Sequence, residues 1–253
     1  RDRTAPHLTP EEKEILGHMS IEYLDDGTGA LVNKTVRVSG VNWQVVNGLG
    51  ATNGHPADPT STDPLLVQTN GVGNLIVGYN ETGNPNGDDR TGSHNVVFGR
   101  ANTFSSFGGI VGPAQSSIRE PWASVTGGKI HVVDEIYGAI SGGASNRIWP
   151  TARWGSVSGG VGNDVRYKAG SVSGGWDNDA IGSYAWVGGG AKNDASGIFA
   201  SVSGGKDNQA SERYASVTGG KDNTASEWYA SVTGGRLNLS LIHISEPTRP
   251  SVI

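Results

Sequence analysis

Residues 156–239 decide the fold: SVSGGVGNDVRYKAG (156–170), SVSGGWDNDAIGSYA (171–185), WVGGGAKNDASGIFA (186–200), SVSGGKDNQASERYA (201–215), SVTGGKDNTASEWYA (216–230) and SVTGGRLNL (231–239). The period is 15. Val157, Val172, Val187, Val202, Val217 and Val232 hold its second position, and a Gly-Gly pair holds the fourth and fifth in every copy. Asn163, Asn178, Asn193, Asn208, Asn223 and Asn238 hold the eighth. The tenth carries Val165, Ala180, Ala195, Ala210 and Ala225, and the fourteenth carries Tyr184, Phe199, Tyr214 and Tyr229, with Ala169 in the first copy.

Fifteen residues are too few for a helical repeat, which needs roughly 33–47. They suit one coil of a parallel β-solenoid: two short strands and two turns. Ser-Val-Ser alternates polar and apolar, the period of a half-buried strand. Gly-Gly supplies positive-φ corners, and Asn, which tolerates the left-handed conformation, falls where the chain bends again. Stacked about 4.8 Å apart, the valines form one internal ladder and the asparagines another, sharing amide hydrogen bonds up the stack. A single coil offers a valine, an alanine and a ring to bury, too little to offset the entropy of ordering it. Stability therefore comes from neighbouring coils, and a partly exposed aromatic column favours oligomerisation.

Upstream the period loosens. Ser124-Val125-Thr126-Gly127-Gly128 lies 15 residues before the Ala139–Gly143 copy, and two extra residues enter near Trp149-Pro150. Val111-Gly112 sits 15 before Thr126-Gly127, and Asn74–Gly78 and Asn95–Gly99 read as degenerate coils flanking a polar loop, 81–94. At the other end, Thr9-Pro10-Glu11-Glu12 is a capping box with proline at the first helical position. Ile15, Leu16 and Met19 make one apolar face of a short helix that ends near Asp25-Asp26-Gly27. That helix reads as a cap on the solenoid's open end or as the end of a coiled-coil stalk. Val36 and Val38 suggest a strand. Four segments follow: 1–33, helix and linker; 34–73, strand and polar loop; 74–239, repeat domain; and 240–253, a tail that breaks the pattern. SLIHISEPTRP within it looks like the translation of a sequencing adapter, so 240–253 are set aside. Opening on Arg1 without a leader, the chain reads as a fragment or processed piece.

Composition excludes much. Glycine numbers 40 of 253 residues and charged residues make up 17 %, poor material for helix bundles. A net charge of −5 gives no electrostatic case for nucleic acid. No run is long and apolar enough to enter a bilayer as a helix. Without cysteine there are neither disulfides nor thiolate metal sites. The six histidines lack zinc spacing, and the Gly-Gly-x-Asp-Asn turns at Asp177, Asp207 and Asp222 depart from calcium-binding nonapeptides in period. No nucleophile elbow or phosphate loop occurs. The expectation is a non-enzymatic chain with no cofactor, no metal and no catalytic residue. Trp122, Trp149 and Trp154 cluster in sequence around the inserted loop, whereas Trp176, Trp186 and Trp228 take variable repeat positions; exposed tryptophans suit sugar stacking, a protein partner or a subunit interface.

The repeat S-V-[ST]-G-G-x-x-N-x-A-S-x-x-Y-A resembles the head-domain repeats of trimeric autotransporter adhesins, the YadA-like heads, with Gly-Gly where that family usually carries Ile-Gly. Asn70–Glu81, Arg90–Gly99, Ser105–Gly112 and Ala123–Gly128 are similar to segments of bacterial adhesin-like repeat proteins. The likeness covers roughly residues 40–238. It implies a left-handed parallel β-roll, a homotrimer, display at the cell surface or outside the cell, and attachment to an extracellular protein or glycan. Two other functions fit the residues alone. One is a passive spacer or sheath component. The other is an ice-binding solenoid, whose hydroxyl array would comprise Ser156/Ser158, Ser171/Ser173, Ser201/Ser203, Ser216/Thr218 and Ser231/Thr233, interrupted at Trp186 and Gly188.

Overall fold

The computed structural model describes residues 8–25, 27–29 and 31–240. The chain divides into two compact units, Arg1–Val45 and Val46–Ile253.

In the first unit helix α1 spans Pro10–Gly17, strand β1 Met19–Asp25 and strand β2 Leu31–Val38. The capping box forms: Glu12 N–H donates to Thr9 Oγ1 at 3.2 Å, and the Glu12 carboxylate accepts the Thr9 N–H at 2.7 Å. The helix is shorter than the sequence reading, which carried it to Asp25. Gly17 ends it, and the alternation Met19, Ile21, Tyr23 has the strand period, so that stretch pairs antiparallel with β2, Met19 opposite Val38 and Ile21 opposite Val36. Asp25 Oδ1 holds the connection by accepting from Gly27 and Gly29 N–H. The strand expected at Val36 and Val38 is the far end of β2, which crosses the boundary drawn at 33/34.

The second unit is an all-β parallel solenoid. Among the described residues one sheet has eleven strands, from Leu75–Val77 to Ser231–Val232, and the other ten, from Thr103–Phe104 to Leu239–Ser240. After the first rung, which contributes Leu75–Val77 alone, each chain turn contributes one strand to each sheet. Val157 pairs with Val172, Val172 with Val187, Val187 with Val202, Val202 with Val217 and Val217 with Val232. The opposite sheet stacks Val165, Ala180, Ala195, Ala210 and Ala225 in register. All of these side chains are buried, as are Ala185, Ala200, Ala215 and Ala230, and together they form one continuous core. The Asn74–Gly78 and Asn95–Gly99 copies pair, Leu75 with Val96, so the polar loop 81–94 is an excursion between two rungs. One register differs from the sequence reading. Val111 stands against Val125, making that rung 14 residues rather than 15. The two extra residues after Ile148 occupy the turn at 149–153, so Ala139 meets Ser156. The tail reading falls, apart from Ser240, outside the described residues; Ser240 completes the last strand opposite Ala225.

The asparagines are not at left-handed bends. That conformation belongs to the residue before each: Asp177, Lys192, Asp207 and Asp222 have φ of 55–58°. Asn178, Asn193, Asn208 and Asn223 point inward and are buried. Nor do their amides bond to each other. Asn193 Oδ1 accepts the backbone N–H of Asn208 at 3.1 Å, while its Nδ2 donates to Gly189 O at 2.8 Å and to Gly205 O in the next rung at 3.0 Å. The same set recurs at each asparagine from Asn163 to Asn223. One amide thus closes a corner within its rung and ties that rung to the next through two hydrogen bonds.

The ladder extends beyond the residues that the period marks. Asn80 accepts from Asn102 N–H, Asn102 from Ser116, Ser116 Oγ from His131, His131 Nδ1 from Asn146, and Asn146 from Asn163. His131 is fully buried in this column, and burial holds its imidazole below the usual 6.5 despite nearby backbone partners. The folded chain therefore binds this proton more weakly than the unfolded chain. Its contribution is complete above pH 6.5 and is lost as pH falls through that value toward the lower folded one. His131→Asn restores the amide of the other rungs and is expected to stabilise by about 1–2 kcal/mol at neutral pH, with a larger gap below pH 6. Thermal midpoints of the two proteins at pH 7.5 and 5.0 check this; a gap that narrows in acid contradicts it.

Candidate functional site

Three outward surfaces of the solenoid carry side chains available for contact. The first is an edge of stacked rings. Tyr184, Phe199, Tyr214 and Tyr229 follow one another at centroid separations of 4.9, 5.1 and 4.8 Å with planes within 11° of parallel. The sequence reading gives each coil this ring to bury yet leaves the column partly exposed; its rings lie outside the core, from 36 % exposed at Tyr214 to 61 % at Tyr229. The cause is the backbone. Each ring sits in a tight turn at φ of 60°, as in Tyr184 between Gly182 O and Ala185 N–H, and this orientation turns Cβ outward while the following alanine enters the core. A bulky residue in that conformation is strained by roughly 1–2 kcal/mol. Ring stacking offsets part of it, and each N–H donates across to the rung before, Tyr184 to Lys168 O at 2.7 Å.

The column continues upstream through residues that the period did not mark. Trp122 stacks on Tyr137 at 5.0 Å, Tyr137 on Trp154 at 6.5 Å, and Phe107 meets Trp122 edge-on. The tryptophans near the inserted loop therefore separate. Trp122 and Trp154 join the aromatic edge, while Trp149 lies over the other sheet, with Arg147 Cζ 3.7 Å from its ring centre and its Nε1 donating to Asp164 at 3.0 Å.

The second surface is the hydroxyl face of the eleven-stranded sheet. Ser156, Ser171, Ser201, Ser216 and Ser231 occupy one register column, broken by Trp186. Trp186 Nε1 donates to Ser173 Oγ at 3.3 Å, and a Cβ added at Gly188 would lie 2.4 Å from Ser203 O and 2.9 Å from the Trp186 ring, so the two interruptions are packed together.

The third is a charged strip on the ten-stranded sheet. Asp134 bridges Arg119 and Arg147, each at 2.7 Å, and Arg166 bridges Asp164 and Asp179 at 3.2 and 3.1 Å. Asp194 follows in register without an arginine of its own rung. Burial first, then the neighbouring carboxylates of Asp164, Asp194 and Asp177, push Asp179 up to about 6 against the pull of Arg166. Burial raises Asp194 too. A carboxyl raised in the folded state binds its proton more tightly there than in the unfolded chain. Its stabilising effect is complete at acid pH and declines as pH rises from 3.8 toward 6. With the Asp179 side chain 31 % exposed, screening leaves about 1–2 kcal/mol of that loss. Asp194→Asn is expected to raise the thermal midpoint at pH 7.5 and to leave it unchanged at pH 4; an equal shift at both values contradicts the assignment.

A groove of about 250 Å³ beside the loop at Thr62 and Pro64 is lined by Glu120, Asp134, Glu135 and Arg153. Burial raises Glu120 and Glu135, with Glu135 and Asp134 adding to the rise at Glu120. Nothing in the repeat period marks this groove, because it is formed by the irregular rungs. Among the described residues no three His, Asp or Glu side chains are placed to hold a metal ion, and no helix is long and apolar enough to cross a membrane. His94 ties Asn47 N–H to Nε2 at 3.1 Å and has Nδ1 2.9 Å from Thr52 O, a structural use.

By its fold the second unit is a β-solenoid repeat protein. No family model and no curated protein matches the chain.

Proposed function

We propose that the chain is a non-enzymatic adhesin-like β-roll module, displayed at the cell surface or secreted, that acts as a rigid rod in attachment and assembles as a homotrimer. The observation that carries this reading is the aromatic edge. A regular row of half-exposed rings, spaced at the rung repeat, is an apolar surface of the kind that marks a protein contact. An identical chain laid alongside has the same repeat, so every ring meets an equivalent group. The resemblance to trimeric autotransporter heads supplies the stoichiometry and the location. Light scattering on the full chain is expected to give three times 26.2 kDa; a stable monomer overturns the assembly. Saturable binding to an extracellular protein or glycan array supports attachment, and its absence from an intact trimer selects the spacer reading. The in-register hydroxyl column favours one other reading, ice binding. Ser216 Oγ, however, donates to Ser231 Oγ at 3.1 Å, and Trp186 covers the middle of the face. Thermal hysteresis above a buffer control would favour ice binding over attachment.

A further inference from the structure

We propose that the rung at Ala169 is a binding slot for one planar aromatic ring that carries an anionic group. The aromatic column runs through Trp122, Tyr137 and Trp154, then resumes at Tyr184, and the rung between them presents Ala169. Ala169 keeps the column's backbone: its φ is 54° against 60° at Tyr184, and its N–H donates to Arg153 O at 2.8 Å as the ring-bearing residues donate to their preceding rungs. Only the ring is missing. One ladder step measures 4.8–5.1 Å between Tyr184 and Tyr229. Trp154 and Tyr184 therefore face each other across about two rung spacings, roughly 10 Å, which leaves a normal stacking distance on both sides of a single inserted ring.

The charge at the slot fixes the substituent. Lys168 Nζ lies 5.2 Å from the Trp154 ring centre and 5.7 Å from that of Tyr184, so an ammonium now rests between the two faces. Arg153 Cζ is 4.9 Å from Trp154 and 5.7 Å from Tyr137. A ring that displaces the ammonium leaves Lys168 and Arg153 at the mouth, where a carboxylate or sulfate on the ring meets both. A cationic ring meets two like charges, and a neutral sugar, although its C–H face can stack on Trp154, forgoes the ion pair. This inference does not need attachment, since a passive spacer could carry the same slot, but it lies on the edge assigned to assembly and so requires that the ringless rung at Ala169 stays open between the chains.

The probe is 4-hydroxybenzoate, titrated into the full chain and followed by ligand-observed NMR relaxation, with tyramine and methyl β-glucoside as the cationic and sugar counterparts. The expected result is saturable binding of 4-hydroxybenzoate at one site per chain, at least tenfold tighter than either counterpart. Ala169→Tyr places the chain's own ring in the slot and is expected to abolish binding. Lys168→Gln is expected to weaken it about fivefold. Trp154→Leu removes one wall while keeping Ala169, and is also expected to abolish binding, so the slot remains testable if Ala169→Tyr fails to fold. Unchanged affinity in folded Ala169→Tyr or Trp154→Leu, equal binding of tyramine or the glucoside, or no saturable binding to the wild-type chain overturns the proposal.

Discussion

Replacing Asn193 by alanine is expected to destabilise the solenoid by about 4 kcal/mol, although the change removes only a small polar side chain from a protein rich in them. The buried amide makes three hydrogen bonds, to Asn208 N–H, Gly189 O and Gly205 O. Alanine leaves that N–H and the Gly189 carbonyl without a partner in a site closed to water, while Gly205 O keeps the N–H of Ala191 at 2.9 Å. An orphaned buried polar group costs about 1–3 kcal/mol, so the backbone groups dominate the loss. Asn193→Asp separates acceptor from donor: the carboxylate still accepts from Asn208 but cannot donate to two carbonyls, and it carries a buried charge. It is expected to be at least as damaging as alanine. Denaturant unfolding monitored by circular dichroism measures both. A loss below about 1 kcal/mol in Asn193→Ala would show that the ladder contributes no more than an exposed side chain does.

The two glycines of the corner at Gly204 and Gly205 should respond very differently to one methyl group. Gly204→Ala is expected to be tolerated within about 0.5 kcal/mol, because no atom lies within 4 Å of the added Cβ and the backbone is outside the left-handed region. Gly205→Ala is expected to cost about 4 kcal/mol or more. There φ is +90°, and the new Cβ would lie 2.2 Å from Gly220 O and 2.5 Å from Asn208 Nδ2. The first obstacle is backbone of the next rung, which cannot yield without breaking the stack. The second is the ladder amide itself. Paired thermal melts of the two variants decide the matter, and equal midpoints contradict the stacking geometry.

The sequence was most informative where a residue's role repeats. Val157 through Val232 and Asn163 through Asn238 recur every 15 residues because each rung needs the same inward groups, so one chain contains its own comparison. Those columns could be recognised without coordinates, but their geometry could not. The period treats Gly204 and Gly205 alike, and only rung-to-rung contact distinguishes them. It places asparagine at a bend, yet the left-handed residue is its predecessor, since the amide is needed inside to satisfy carbonyls. The slenderness of one coil already implies that the ring at position fourteen is partly exposed, but not how; the turn's positive φ, which no period reveals, directs it outward. Ser116 and His131 escaped notice because a hydroxyl and an imidazole replace an amide as acceptors of one N–H, a likeness of function without likeness of side chain. The helix was read too long because Met19 fits a helical face as well as it begins the strand alternation.

In the sequence Ala169 is only the small residue with which the position-fourteen column begins. The slot there is not visible, because Trp154 enters that column across a rung with two extra residues in its turn, and no constant period reaches it.

Distances between spin labels on paired cysteines test the central claim most directly, and a chain without native cysteine is suited to it. With one label fixed at Ser158 and the other at Ser203, Thr218 or Thr233, double electron–electron resonance should give separations that grow by about 4.8 Å for each 15 residues. Separations that fail to rise in equal steps, or that rise by far more than one strand spacing per repeat, would contradict the account.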